Sequence, residues 1–326
     1  MRFYSLRLIL LLLLAISGVG SAASQTIDEI RASLRQSFHD GQVAGSLAGL
    51  IVLSDEFELS GADYWIDNPE QTRLTSLALP YRTTFRPWDT PWPGIYFEGV
   101  LGYAHTKESV ADVYGGGAPG LETSIDARFT TYSGLVGLGP QFQLCDDLTL
   151  ALIVNGGGAW LESDARYGGP GAALTSQLLD GLVFNWDGYT VSGGGALRLD
   201  WVKPLGDKCQ LEVAARYDLR WTKTIDAEDA ALEFTSRAQF FTLRTDVVGP
   251  TGMEILDHPL TWRSTAGCRA FIEGDMYDIT AMGLVGGALE LDTDGNIPLG
   301  PKVSLSAGFI FGNRVLGYTL GLGVEF

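Results

Sequence analysis

GYTLGLGVEF, residues 317–326, ends the chain with a strict alternation of apolar and small or polar side chains. Successive side chains of a β-strand point to opposite faces, so the segment predicts a strand with one apolar face. A soluble protein that ended in this way would leave an adhesive edge at its terminus. The apolar face is formed by Tyr318, Leu320, Leu322, Val324 and Phe326.

The other end of the chain, MRFYSLRLILLLLLAISGVGSAAS, has a basic start, an apolar run at 8–16 and a tract of small residues. This order predicts a cleaved secretory signal peptide over residues 1–23. The apolar run is too short to span a bilayer as a helix, and no other segment has ~18 consecutive apolar residues. We therefore expect an exported protein without a transmembrane helix.

The composition excludes several functional classes. The formal net charge is −17, which argues against a nucleic-acid partner. The three cysteines show no zinc-binding spacing, although a disulfide between Cys145 and Cys209 stays open as an alternative. The acidic segment 292–296 lacks the glycine and glutamate positions of an EF-hand loop. We expect no metal and no cofactor.

One helix is predicted, within residues 24–42. Thr26 and Glu29 form a capping box, and apolar residues then recur on one narrow stripe. The polar side of this helix carries Arg31 and Arg35. We interpret the helix as a plug in or below the lumen of a barrel, where these arginines would pair with charges of the wall.

Period-two alternation then continues to the C-terminus and predicts a barrel domain over 43–326. Short and long connections alternate over most of its length, as in outer-membrane barrels, with exceptions at 248–259 and 312–313. The twelve predicted strands lie near 43–53, 71–85, 94–106, 122–138, 147–163, 188–203, 208–223, 233–247, 260–273, 278–291, 302–311 and 314–326.

A sheet in hydrocarbon must close, because an open edge leaves peptide groups without hydrogen-bond partners. The last strand is therefore expected to pair with the first, near 44–52. Charges belong inside such a barrel, and a mixture of both signs favours a salt-bridged, partly plugged interior. The predicted lumen charges are Arg198, Asp200, Glu212, Arg216, Asp218, Arg220, Arg263 and Arg269.

The ending GYTLGLGVEF resembles the C-terminal insertion signal of Gram-negative outer-membrane proteins. A capped helix followed by about twelve strands and this ending is similar to the translocator domain of autotransporters, here without room for a passenger. The resemblance implies an all-β, closed antiparallel transmembrane barrel in the outer membrane. It also implies contact with outer-membrane lipid and lipopolysaccharide, insertion by the barrel-assembly machinery, and a monomer.

The expected function is passive and non-enzymatic, as a narrow plugged pore or a platform for surface loops. The alternative is a hydrolase of lipid or lipopolysaccharide at the outer rim, with His105 as base and Ser109 nearby. No GxSxG motif frames a nucleophile. A soluble periplasmic β-protein is a third hypothesis.

Overall fold

The computed structural model describes residues 27–39, 51–52, 61–67, 72–85, 93–111, 122–274, 279–292 and 302–325. In these ranges, twelve antiparallel strands follow one another around a closed barrel. The first strand pairs with both the second and the last, so the ring has no break in its strand order. The predicted fold class, a closed antiparallel barrel of about twelve strands, is confirmed.

Helix α1 spans Ile27–His39, α2 spans Ala172–Leu179, and a 3-10 turn lies at Ala230–Leu232. The strands are β1 Gly61–Ile66, β2 Arg73–Phe85, β3 Gly94–Val110, β4 Ser124–Cys145, β5 Leu148–Gly168, β6 Trp186–Leu205, β7 Cys209–Ala227, β8 Thr235–Ile255, β9 His258–Glu273, β10 Ala281–Asp292, β11 Lys302–Gly312 and β12 Val315–Glu325.

The two ends of the barrel differ in their connections. The end where β12 finishes, which we name the C-terminal rim, has tight turns at 146–147, 206–208 and 256–257. At the opposite end, the loop rim, longer connections at 169–185 and 228–234 carry α2 and the 3-10 turn. The loop rim is therefore where additional structure covers the barrel.

The wall has the opposite polarity to that of a water-soluble protein. Outward-facing Leu101, Val154 and Leu322 are 66%, 74% and 73% exposed. Inward-facing Glu98 and Asp218 are 0% and 1% exposed. Leucine outside and carboxylate inside is the distribution expected when hydrocarbon surrounds the wall.

An outward-facing aromatic belt crosses β3 to β6 on the loop-rim side of this apolar surface. Tyr103, Tyr132, Trp160 and Tyr189 occupy directly opposed positions on successive strands. Their neighbouring ring centroids lie 5.3, 5.4 and 6.4 Å apart. Amphipathic rings of this kind mark the level of a membrane–water interface.

The prediction for the first strand was wrong. β12 pairs with Gly61–Ile66, not with 43–53, and Ile51 and Val52 are helical. The run Leu50–Ile51–Val52–Leu53 is continuously apolar, so it cannot offer one face to lipid and the other to a polar lumen. In β1, by contrast, Ala62, Tyr64 and Ile66 alternate with outward-facing Trp65.

Two further connections differ from expectation. The segment 248–259 contains no long loop, because β8 continues to Ile255 and β9 begins at His258. The turn uses Leu256 and Asp257, whose φ angles are 55° and 66°. Leucine gives no turn signal, so the hairpin was missed. The connection 164–187 holds α2, which begins after Gly171 without a side-chain cap and therefore lacks the usual start signal.

Candidate functional site

The barrel interior is crossed by an ion pair between distant strands. The Arg216 guanidinium on β7 donates to both carboxylate oxygens of Glu98 on β3, at 2.6 and 2.8 Å. It also donates to both oxygens of Asp218, at 2.8 Å each. The Tyr96 hydroxyl donates to Glu98 at 3.0 Å. One buried cation thus holds two buried carboxylates near the middle of the lumen.

A second cluster lies closer to the C-terminal rim and is centred on Arg263 of β9. Its guanidinium donates to Glu212 on β7 at 2.5 Å and to Glu290 on β10, and lies 3.3 Å from Asp246 on β8. Arg244 also bonds Asp246, at 2.8 Å. Four neighbouring strands are therefore connected through charged side chains. The charged side chains of the inner face therefore form two separate groups of ion pairs, one around Arg216 and one around Arg263.

A cavity of about 320 Å³ lies inside the wall at this level. Its lining comes from β2 and from β6 to β12, so it occupies the lumen itself. Four arginines and four carboxylates balance its charge. These residues are Arg82, Arg198, Arg244, Arg263, Asp200, Glu212, Asp246 and Glu290.

Arg82, Arg244 and Asp246 also line this cavity, although they were not among the predicted lumen residues. Arg244 and Asp246 could have been predicted, because they follow Thr242 at every second position of the predicted strand 233–247. Arg198 and Asp200, which were selected, form an ion pair of 2.8 Å along β6.

The two remaining predicted lumen arginines mark the border between the polar and apolar halves of the lumen. Arg220 and Arg269 are both buried, and both lie over the ring of Phe240, at 5.9 and 4.9 Å from its centroid. Arg269 also donates to the Thr242 hydroxyl at 3.0 Å. Cation–π contact of this kind satisfies an arginine that meets an apolar surface.

The half of the lumen toward the loop rim is filled by apolar side chains. Val52, 3% exposed, belongs to a cluster with Tyr64, Leu74 and Ile310, from β1, β2 and β11. Its neighbour Ile51, 1% exposed, belongs to a different cluster on β5 and β6. β5 and β11 are six strands apart in a ring of twelve. The two clusters to which Ile51 and Val52 belong therefore include strands on opposite sides of the ring.

Helix α1 lies at the loop rim, against the connections rather than the charged wall. Leu34, 1% exposed, packs in a cluster with Leu178 and Phe184 and with inward-facing Ile125. The Arg31 guanidinium donates to the main-chain carbonyls of Gln177, Leu178 and Asp180, at the C-terminal end of α2. This is where a cation satisfies unpaired helix carbonyls and the negative end of the helix dipole.

The predicted pairing of α1 with lumen charges was therefore wrong. Arg31 bonds α2, and Arg35 forms an ion pair of 2.9 Å with Asp229 in the β7–β8 connection. Glu29 is exposed in the first turn, and Thr26 lies outside the described residues. A plug by α1 from below the barrel does not agree with these contacts, because they place the helix at the loop-rim mouth.

The acidic residues of the β7–β8 connection have separate partners. Asp229 binds Arg35, whereas Glu228 lies beside Asp187. Burial raises the pKa of Glu228, and the hydrogen bond and negative charge of Asp187 raise it further. Within the described ranges, no group of three or more His, Cys, Asp or Glu side chains is arranged to hold a metal ion.

The C-terminal segment forms β12, which pairs with β11 along its full length. Tyr318, Leu320 and Leu322 face outward and are exposed. The side chain of Val324 and the whole of Phe326 lie outside what the structure describes, as does the predicted signal peptide. The role of this segment as an insertion signal stays a prediction.

His105 lies on the outward face of β3, next to the aromatic belt. Its Nδ1 is 3.2 Å from the Tyr103 hydroxyl. Ser109 is four residues further along the strand, ~13 Å away at ~3.3 Å per residue, and its hydroxyl donates to Asp126 at 2.7 Å. A nucleophile and its base must lie within hydrogen-bond distance. This geometry does not bring His105 and Ser109 together for hydrolysis.

The cysteines among the described residues, Cys145, Cys209 and Cys268, are free thiols. Cys145 and Cys209 belong to β4 and β7, and Cys268 faces outward from β9. None of the helices in the described ranges combines the length and apolarity of a bilayer-spanning helix.

No protein-family model and no curated protein sequence matches the chain. Three autotransporter barrels of known structure are similar to it, each at 12% sequence identity. The β domain of BrkA from Bordetella aligns over 82% of this chain and 96% of its own, with a TM-score of 0.44. The translocator domain of NalP from Neisseria meningitidis aligns over 90% and 97%, at 0.41. The transport unit of AIDA-I from Escherichia coli aligns over 90% and 99%, at 0.45.

Proposed function

We propose that this chain is a non-enzymatic, autotransporter-like barrel of the Gram-negative outer membrane whose lumen is closed by its own N-terminal segment. The observation that carries the membrane location is the polarity of the wall, with exposed leucines outside and buried charges inside. The proposal includes a monomer surrounded by outer-membrane lipid and lipopolysaccharide. Insertion would depend on the barrel-assembly machinery.

The location is tested by extraction of membranes from cells that express the full chain. An integral barrel stays in the pellet after washing with carbonate or urea, because its outer surface is solvated by hydrocarbon. A soluble periplasmic β-protein would enter the supernatant. Release by either wash would overturn the proposal.

The proposed closure of the lumen rests on Ile51 and Val52, which are buried in two apolar clusters on different parts of the wall. Helix α1 lies above them at the loop rim, so its removal alone leaves this apolar contact in place. The proposal therefore gives the main barrier to the segment 51–52 and a secondary role to α1.

The first prediction compares single-channel conductance for three forms in planar bilayers. We expect low conductance from the mature chain and only a small increase for a chain that starts after Gly41. The double variant Ile51→Ser/Val52→Ser, in the mature chain, is expected to conduct clearly more, because water then enters an apolar constriction. A heat-dependent shift in gel mobility checks that each form is a folded barrel. Equal conductance of all three folded forms would contradict the closure.

A further inference from the structure

Three cations stand side by side on the outward face near the loop rim. Arg73 of β2 is directly opposite Lys107 of β3, and Lys107 is directly opposite Arg128 of β4. All three side chains are exposed. We name them the basic row. Directly opposed residues of antiparallel strands have Cβ atoms only ~5 Å apart, and like charges in these positions repel.

The compensation within this row is incomplete. At one end, Arg73 donates to both oxygens of Asp63, at 2.9 and 2.5 Å. At the other end, Asp164 is directly opposite Arg128. Lys107 has a cation on each side, and among the described residues no hydrogen bond or ion pair engages the side chain of Lys107 or of Arg128. Three adjacent exposed cations stand out on a chain that has 22 basic and 39 acidic residues and a net charge of −17.

The position of the row relates it to a membrane surface. Lys107 lies four residues beyond Tyr103 toward the loop rim, and Arg128 lies four residues beyond Tyr132 in the same direction. Four residues correspond to ~13 Å along a strand. The aromatic belt marks the interface, so the row stands at the level of lipid headgroups. Trp65 and Tyr318 extend the aromatic surface beside Arg73, and the Arg73 guanidinium lies 5.6 Å from the Trp65 ring centroid.

We propose that the basic row binds a phosphate group of lipopolysaccharide, with Lys107 and Arg128 as the residues that engage it. This inference rests on the proposed outer-membrane location and identifies a specific lipid contact. A phosphate oxygen between Lys107 and Arg128 would offset their mutual repulsion, and the guanidinium can donate two hydrogen bonds to it. The sugar and acyl parts of the same lipid would contact the belt and the apolar wall below it.

The test measures lipid retention by native mass spectrometry of the refolded full mature chain in detergent with EDTA. The probes are purified lipid A with two phosphates and the same lipid after removal of both. We expect the phosphorylated lipid to remain bound to more molecules, and added salt to reduce that excess. The variant Lys107→Gln/Arg128→Gln is expected to lose the excess.

Lys223→Gln is the matched control. Lys223 is also exposed on the outward face, but its opposed neighbours are Val191 and Thr235 rather than cations. We expect this variant to retain the preference for phosphorylated lipid. Equal binding of both lipids by the wild-type chain, or equal loss in Lys223→Gln, would overturn the proposal. The lipid assay uses folded barrels in detergent. A negative result would therefore contradict the phosphate site but not the outer-membrane location, which the extraction test examines separately.

Discussion

Glu98 shows how a single position in the lumen depends on its neighbours. Its carboxylate lies over Gly137, where an added Cβ would come within 2.8 Å of the Glu98 Cγ and 2.9 Å of the Ile153 side chain. Glycine at 137 thus makes room for the carboxylate to reach Arg216. The charge is fully buried and therefore requires compensation, to which this bidentate partner and the Tyr96 hydroxyl both contribute.

The substitution Glu98→Gln is predicted to destabilise the barrel by about 1–3 kcal/mol, because the amide cannot accept both hydrogen bonds from the buried guanidinium, which then keeps only Asp218 as a bidentate partner. Guanidinium chloride unfolding, followed by tryptophan fluorescence in detergent, would measure this change. Arg237→Gln is the control, since it removes an ion pair with Glu273 whose side chains are 48% and 44% exposed. An exposed pair contributes about 0–1 kcal/mol. Similar losses in both variants would contradict the role assigned to burial.

At the scale of elements, the C-terminal-rim hairpin between β8 and β9 combines a tight turn with an unfavourable residue. Leu256 and Asp257 both have positive φ, the geometry of a two-residue turn that favours Asn-Gly or Asp-Gly. A leucine in this region of φ is strained, because its Cβ approaches the backbone. Leu256 is also 84% exposed, so packing does not compensate for the strain.

The variant Leu256→Asn is therefore predicted to stabilise the barrel by up to about 1 kcal/mol, since asparagine tolerates the left-handed region. The same unfolding titration would detect the change as a higher midpoint with an unchanged slope. Gly206→Asn is the matched comparison at another turn of this rim. Gly206 also has a positive φ, of 67°, but a glycine carries no strain there that asparagine could relieve. A loss of stability in Leu256→Asn would mean that the leucine makes a contact that outweighs its backbone cost.

Elements whose sequence pattern is complete within the element itself could be predicted from the sequence. Eleven of the twelve strands, from β2 to β12, overlap the predicted ones because alternation is a property of each strand alone. The first strand was missed because its alternation extends over only six residues, and the β8–β9 turn and α2 were missed because neither has the usual turn or cap residues. The docking of α1 on α2 through Arg31 depends on contacts about 146 residues apart in the chain. Such a contact leaves no trace in local periodicity.

For the whole molecule, the lumen consists of two parts with different chemistry. The loop-rim half is apolar and contains Ile51 and Val52, whereas the other half holds the charged cavity. Arg220 and Arg269 on Phe240 lie where the two parts meet. The proposed closure assigns the barrier to water to the first part, whereas the second part holds bridged charges.

The balanced charge of the cavity predicts the selectivity of an opened barrel. In the Ile51→Ser/Val52→Ser background, four arginines and four carboxylates line the path, so we expect a reversal potential near zero in a KCl gradient. Adding Arg244→Gln leaves four carboxylates and three arginines in the lining and should shift the reversal potential toward cation selectivity. Adding Asp200→Asn leaves Arg198 without its carboxylate and should shift it toward anion selectivity. Shifts of opposite sign from the two variants would locate the current in this cavity. If neither variant moves the reversal potential while conductance stays high, ions pass elsewhere, and the interior described here is not the conducting path.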